Sequence, residues 1–394
     1  MNFENENPVQ EKKLIGARVV ALALLALAAA TCRDVTSEAQ PARVFVFTIG
    51  SGTVERSPGG DPVVNATWTL IAEPAVGWRF ERWSGSISGA DNVKTFTLTE
   101  KQTCIAVFRP IEAEVHFTPG ESFFGRNRYV EYVPGDRPLV ISVPHGGDMK
   151  PDEIRDRSSG ETTQDGFTVE LGREVAEAYG RSHSGRPHLV ICHLHRRKLD
   201  ANRDAGEGTA NDPYALLTWN EFHEFILIAK TIAGRKNGCG LYLDLHGQSD
   251  DARQQLGYLL SAQDLRRSDV ELDQPGFASR SSVRHLAQGT AAPFSELVRG
   301  PRSLGGLLQG LGYEAVPSPQ WPDSGNIPYY DGGYNTQTHG SRDGGTIDGV
   351  QLEATRAVRF DNDSRALFAP ALARALADFL REWYGAGGAA SSRR

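Results

Sequence analysis

Residues 139–151 read LVISVPHGGDMKP. A short run with almost no polar interruption halts at a proline, then a histidine, then two glycines. Such a run fits a strand covered on both faces, as in a parallel sheet, better than a half-exposed strand that alternates polar and apolar side chains. HLVICHL (188–194), GLYLDL (240–245) and GVQLE (349–353) have the same texture. Between and after them lie FTVELGREVAEAYG (167–180), WNEFHEFILIAKTI (219–232) and RALFAPALARALADFLREWYG (365–385). Their apolar residues recur every three or four positions, the period of a helix with one buried face. Strand and helix in alternation predict an α/β fold with a mostly parallel mixed sheet flanked by helices. Ligands of such sheets bind beyond the carboxyl ends of the strands, so the polar residues that follow the apolar runs are the candidates for chemistry.

The region before residue 112 is different. RVFVFTIGSGTVERSPGG (43–60), ATWTLIAEPAVGWRFERWSG (66–85) and TFTLTEKQTCIAVFRP (95–110) alternate apolar and polar residues between turn signals. This pattern predicts a small N-terminal all-β domain over 43–110, ahead of a larger domain over 112–388. Trp78, Phe80 and Trp83 fit a small aromatic core better than a sugar-binding platform. At the N-terminus, Lys12, Lys13 and Arg18 precede VVALALLALAAATC (19–32). A basic start, about a dozen apolar residues and a small-residue end predict a secretory signal over 1–32, too short for a membrane span. Cys32 follows Ala-Ala-Thr, as at a lipoprotein cleavage site, with plain signal cleavage as the alternative. The expected location is therefore outside the cytoplasm: periplasmic, cell-surface lipoprotein or secreted. Membrane attachment would come only through a lipidated Cys32, and cell-surface contact through the β-rich module.

The chain has 394 residues, room for two domains, and a net charge of -7, which gives no footprint for nucleic acid. Cys104, Cys192 and Cys239 follow Cys32. Cys192 and Cys239 lie in or near two apolar runs that could be neighbouring strands, so they either pair or stay as buried thiols.

The ends of the apolar runs carry the chemistry. ISVP leads to His145, LYLDL to His246, GVQL to Glu353, and HLVICHL to HRRKLDANR (195–203). Zinc chemistry needs two or three neutral or anionic ligands and an open position for water. His145 and His246 supply nitrogens, and Asp148 or Asp165 a carboxylate; a helix N-cap is the alternative role for Asp165. Asp244, two residues before His246, shares its side of the strand and can fix the imidazole tautomer. The glycines at 146, 147 and 247 let backbone and substrate approach closely. Burial of Glu353 raises its pKa toward the range of a general base, with an ion pair to Arg356 or Arg359 as the alternative. Arg196 can hold an oxyanion, and Asn202 and Arg203 a carboxylate, unless all three lie in an ordinary surface loop.

VPHGGDMKP, DGFTVEL, RRKLDANR, WNEFHEFI, LYLDLHG and YYDGGYNTQTHGSRDGGTIDGVQLE, in that order over about 137–360, resemble the N-formylglutamate amidohydrolase family. The D-x-N-R, D-x-H-G and Q-L-E elements also resemble zinc carboxypeptidases. The resemblance implies a phosphorylase/hydrolase-like fold of the zinc carboxypeptidase kind. It implies one Zn2+ per chain held by His145, Asp165 and His246. It further implies Glu353 as the base and Arg196 on the scissile carbonyl, with Asn202 and Arg203 on a substrate carboxylate. Gln337 stands at a substrate-binding position where the family's deformylases carry an arginine, so the chemistry carries over better than formylglutamate itself. The expected activity is metal-dependent amide hydrolysis on a small-molecule or peptide substrate bearing a carboxylate. The alternatives are a carboxypeptidase-like or cell-wall peptide hydrolase, or a catalytically dead surface-binding protein. Residues 43–110 resemble one internalin-type bacterial β-repeat module.

Overall fold

The computed structural model describes residues 43–59, 63–111 and 117–385. The expected signal segment and Cys32 lie outside the described residues. The chain divides into two compact units, with the boundary between residues 112 and 113.

The first unit holds two three-stranded sheets. Strands β1 (Val44–Ile49), β6 (Gln102–Pro110) and β4 (Trp78–Gly85) form one, in the order β1-β6-β4. Strands β2 (Gly52–Ser57), β3 (Thr67–Pro74) and β5 (Val93–Thr97) form the other, in the order β2-β3-β5. The alternation in the sequence puts Leu70, Ala72, Trp78, Trp83, Ala106 and Phe108 into one apolar cluster. Phe80 packs against Trp83 and Phe108, with ring centroids 5.6 and 5.8 Å apart. The aromatic residues are core, and burial of this large apolar area is what holds so small a unit together. Gly50, at φ +82, makes the turn between β1 and β2 in a conformation open to glycine.

The second unit is built on one eight-stranded sheet. Its strands are β7 (Phe123–Phe124), β8 (Val130–Val133), β9 (Leu139–Val143), β10 (His188–Cys192), β11 (Gly240–Gln248), β12 (Gln254–Gly257), β13 (Ala315–Val316) and β14 (Ile347–Thr355). The order is β13-β12-β14-β11-β9-β10-β8-β7. The central four, β14, β11, β9 and β10, are the four apolar runs of the sequence and pair in parallel. Strands β8 and β12 join this centre antiparallel, one on either side, with β7 and β13 outermost. They are short, and nothing in their sequence separates them from loop.

Four helices matter for the site: α1 (Thr168–Ser182), α2 (Pro213–Asn237), α3 (Tyr334–His339) and α4 (Asn362–Tyr384). The sequence marks both ends of α2. Asp212 accepts hydrogen bonds from the Tyr214 and Ala215 backbone N–H groups, Pro213 takes the first turn, and Gly238 closes the helix at φ +78. Leu139, Ile141, Val143, Leu241, Leu243, Leu245, Val350 and Leu352 from the sheet join Leu171 and Val175 of α1 and Phe368 and Leu372 of α4 in the main core. Helix α2 packs on β8, β9, β10 and β11. On that side the stacked rings of Tyr132 and Phe225 lie 5.4 Å apart.

The three described cysteines are free. Cys192 ends β10 and Cys239 precedes β11, with β9 lying between these strands, so they are not on neighbouring strands and do not pair. Burial pushes the Cys192 thiol up to about 12. Among the described residues no helix is long and apolar enough to cross a membrane.

Candidate metal centre

The parallel register lines polar groups up across three strands. Ser142 of β9 lies beside Asp244 of β11, Asp244 beside Gln351 of β14, and His246 beside Glu353. Within β11, Tyr242, Asp244 and His246 are two residues apart and share one side, while Leu241, Leu243 and Leu245 point to the core on the other.

His145 follows directly on the strand. Pro144 cannot donate to the ladder, and β9 ends at Val143. The two glycines after it are packing positions. A Cβ on Gly146 would lie 2.4 Å from Thr168 Oγ1, and one on Gly147 would lie 2.2 Å from the His193 backbone. A Cβ on Gly247 would likewise strike the Arg359 guanidinium, at 2.2 Å. All three close approaches are therefore to protein, not to open space left for a substrate.

Asp165 comes in from the loop before α1. Its backbone N–H donates to the His145 carbonyl at 3.1 Å, which ties the two residues together. Its side chain does not cap the helix, because its Oδ2 faces three nitrogens: His246 Nδ1 at 3.2 Å, the Gly247 N–H at 3.2 Å and His145 Nδ1 at 3.5 Å. His145, Asp165 and His246 are all buried, and one potential ligand atom from each lies within 4.8 Å of the others. Asp148 is exposed and outside this group.

The far nitrogen of each imidazole is held by its own carboxylate. His145 Nε2 lies 2.7 Å from Asp200 Oδ1, and His246 Nε2 lies 2.8 Å from Asp244 Oδ2. A proton kept on each Nε2 would let a cation replace any proton on the Nδ1 atoms that face Asp165, the tautomer a metal ligand needs. His145 Nδ1 is buried and has no hydrogen-bond partner. Two nitrogens and a carboxylate oxygen, one of them a buried orphan, fit a zinc-like dication.

The electrostatics agree with a site built for positive charge. Burial pushes Asp165 up, yet His145 and His246 outweigh it and hold the carboxyl well below its usual range. Asp200 is likewise depressed, with burial opposed by His145 and Arg196. Asp244 is lowered too, burial yielding to its contacts with His246 and Ser142. Glu353 goes the other way: burial pushes it up to about 7, with nearby Asp165 and Asp244 adding to the rise against the two histidines. Its Oε1 accepts from Gln351 Nε2 at 3.0 Å. The alternative ion pairs do not form. Arg359 donates to the carbonyls of Ala354, Gly166 and Gln248, and Arg356 lies over the Phe360 ring.

The remaining sequence candidates divide. Arg196 is at the centre: its Nε donates to Asp200 Oδ2 at 2.9 Å, and its Nη1 lies 3.8 Å from Asp165 Oδ1. Asn202 is also there, but in a different role from the expected grip on a substrate. Its N–H donates to Asp200, its Oδ1 accepts from the Asn335 N–H at 2.8 Å, and its amide lies 3.3 Å from His246 Nε2. Arg203 is not drawn into the cluster; its side chain is 42% exposed and pairs with Glu207 at 3.3 Å. Gln337 is exposed on α3, whose buried members are Asn335, Thr336 and His339. Asp200, Ser142, Tyr242 and Asn335 are the residues sequence reasoning passed over. Asp200 heads the D-A-N-R string and could have been found there; the other three carry no local signal.

A search of curated proteins returned no match. Among solved structures the chain is similar to an N-formylglutamate amidohydrolase from Ralstonia eutropha, at 15% identity and TM-score 0.39, over 64% of this chain and 97% of that one. It is similar to a gene product of Agrobacterium tumefaciens, at 12% identity and TM-score 0.40, over 64% and 95% of the two chains. A protein of Shewanella amazonensis proposed to be a metallopeptidase matches at 14% identity and TM-score 0.28, over 66% and 82%. At these identities and scores the chemistry of the chain rests on its own side chains. Residues 43–112 match the family model of the divergent InlB B-repeat domain.

Proposed function

We propose that the second unit is a metal-dependent hydrolase that cleaves an amide bond in an N-acyl amino acid or peptide-like substrate bearing a carboxylate. One observation carries this reading: His145, Asp165 and His246 converge within 4.8 Å, deep in the fold, each imidazole oriented from behind by a carboxylate. These three residues would hold the cation, with zinc the fitting choice. When bound, such an ion polarises a carbonyl and lowers the pKa of water from 15.7 to about 7.

The chain's own groups do the rest. Glu353 is buried beside the three ligands and its carboxyl is raised by that burial, which suits a group that both accepts and returns a proton. It takes a proton from the attacking water and hands it to the departing nitrogen. Arg196 keeps its Nε on Asp200 and has its other donors beside Asp165, within reach of the oxyanion. Arg203, loosely paired with Glu207 at the surface, is available to exchange that partner for the substrate carboxylate. The basic and apolar N-terminal segment and the InlB-type module support an exported protein, so peptide termini and cell-wall peptides are favoured over N-formylglutamate.

The test is a screen of N-acyl amino acids and short peptides with zinc added and then chelated. Glu353→Gln is expected to keep one zinc per chain and to lose about a thousandfold in kcat. Activity that survives both chelation and this exchange overturns the reading. So does a zinc content below roughly 0.1 per chain after zinc-supplemented purification.

A further inference from the structure

Behind His246 the structure holds a second layer of polar groups that are not metal ligands. Asp244 gives its Oδ2 to His246, and its Oδ1 collects three donors from three separate segments. Ser142 Oγ of β9 donates at 2.6 Å, Tyr242 OH of β11 lies at 3.1 Å, and Asn335 Nδ2 of α3 donates at 3.3 Å. The Ser142 and Tyr242 hydroxyl oxygens also lie 2.7 Å apart, so their two protons are shared among three contacts. All four side chains are fully buried, where hydrogen bonds hold polar groups firmly, and of the four only Asn335 has a side-chain atom, its Oδ1, without a partner.

Asn335 also reaches beyond Asp244. Its side chain reaches Asp244, and its backbone N–H donates to Asn202 Oδ1, while Asn202 N–H donates to Asp200. One residue of α3 therefore joins the carboxylate behind His246 to the string behind His145. Neither imidazole can swing without breaking a bond that leads to Asn335.

We propose that Asn335, Tyr242 and Ser142 are positioning residues. They clamp Asp244, and through it the His246 ring, at the separation from His145 and Asp165 that a dication requires. The inference rests on the reading of His145, Asp165 and His246 as ligands. Its effect lies on affinity and coordination geometry, not on proton transfer.

Cobalt(II) is the probe, since it reports affinity by competition with a chelator and geometry by its visible absorption. Asn335→Ala and Tyr242→Phe are expected to bind cobalt roughly tenfold more weakly than wild type and to shift the absorption band. Tyr242→Phe removes a single oxygen, so it tests the network even if Asn335→Ala folds poorly. Thr336→Val is the control: it is buried on the same helix, nearly isosteric, and its hydroxyl has no hydrogen-bond partner. It should match wild type in both readouts. Wild-type affinity and spectrum in folded Tyr242→Phe and Asn335→Ala overturn the positioning role alone. Equal weakening by Thr336→Val overturns it too, because the helix would then matter only as packing. A wild-type protein that binds no cobalt, or binds it as well after His246→Ala, overturns the ligand reading itself.

Discussion

The two faces of the large sheet are made by the same strands and have opposite chemistry. On one, Leu241, Leu243 and Leu245 meet Val350, Leu352, Ile141 and Val143 under α1 and α4, a dry packed layer. On the other, Tyr242, Asp244 and His246 lie beside Ser142, Gln351 and Glu353, a row of polar groups just as deeply buried. A strand with a two-residue period delivers both from one stretch of chain. The lesson is that burial alone does not define a core. One face gains its stability from excluded water, the other buries polar groups that must hold one another.

The sharpest way to break the comparison is to injure one face and read the other. Leu243→Ala should cost about 2–5 kcal/mol in denaturant unfolding, from lost transfer energy and the cavity left behind. Zinc bound per folded chain should not change, and a loss of metal from folded protein would show that the faces are not independent. Asp200→Asn attacks the polar face instead. It keeps the shape of the side chain but weakens the partner of His145 Nε2, and metal affinity should fall about 10- to 100-fold; the melting temperature should fall as well, because Arg196 loses its buried carboxylate. Chelator competition measures the first and calorimetry the second.

A smaller effect tests the edge of the apolar face. Glu131 of β8 sits opposite Ile191 in the ladder, a charge on the helix-packed side. Burial pushes its carboxyl up, but hydrogen bonds from His193, Arg173 and Ser122 prevail and bring it down to about 2. A carboxyl lowered from 4.5 contributes stability that is present above pH 4.5 and is lost as the pH falls toward 2. With Arg173 partly exposed, the contribution is about 1–2 kcal/mol. Glu131→Gln should flatten the stability profile in that window while leaving it lower at pH 7. An unchanged profile would show that the pair adds nothing.

Much of this was legible beforehand. The four apolar runs gave the parallel centre of the sheet, and the residues at their ends gave His145, His246 and Glu353, because the end of a buried strand is where a polar side chain can still serve a ligand. Asp165 and Arg196 were candidates among several, and the family resemblance chose Asp165 over Asp148, since one lies in a loop and the other in a string of basic residues with no period to read. The substrate-side candidates fared less evenly. Arg203 and Gln337 stand in polar stretches where sequence does not tell an inward side chain from an outward one. The structure turns Arg203 to Glu207 and leaves Gln337 exposed, while Asn335, two residues earlier on the same helix, is fully buried.

The order of apolar and polar residues along the chain determined by itself that a parallel sheet would form and which ends of its strands would be polar, because periodicity is a local property of the chain. Only the tertiary structure decided which polar groups meet. Asp200 finds His145 across 55 residues, and Asn335 finds Asp244 across 91. Those pairings depend on strand register and on where α3 lands, and no local pattern encodes either.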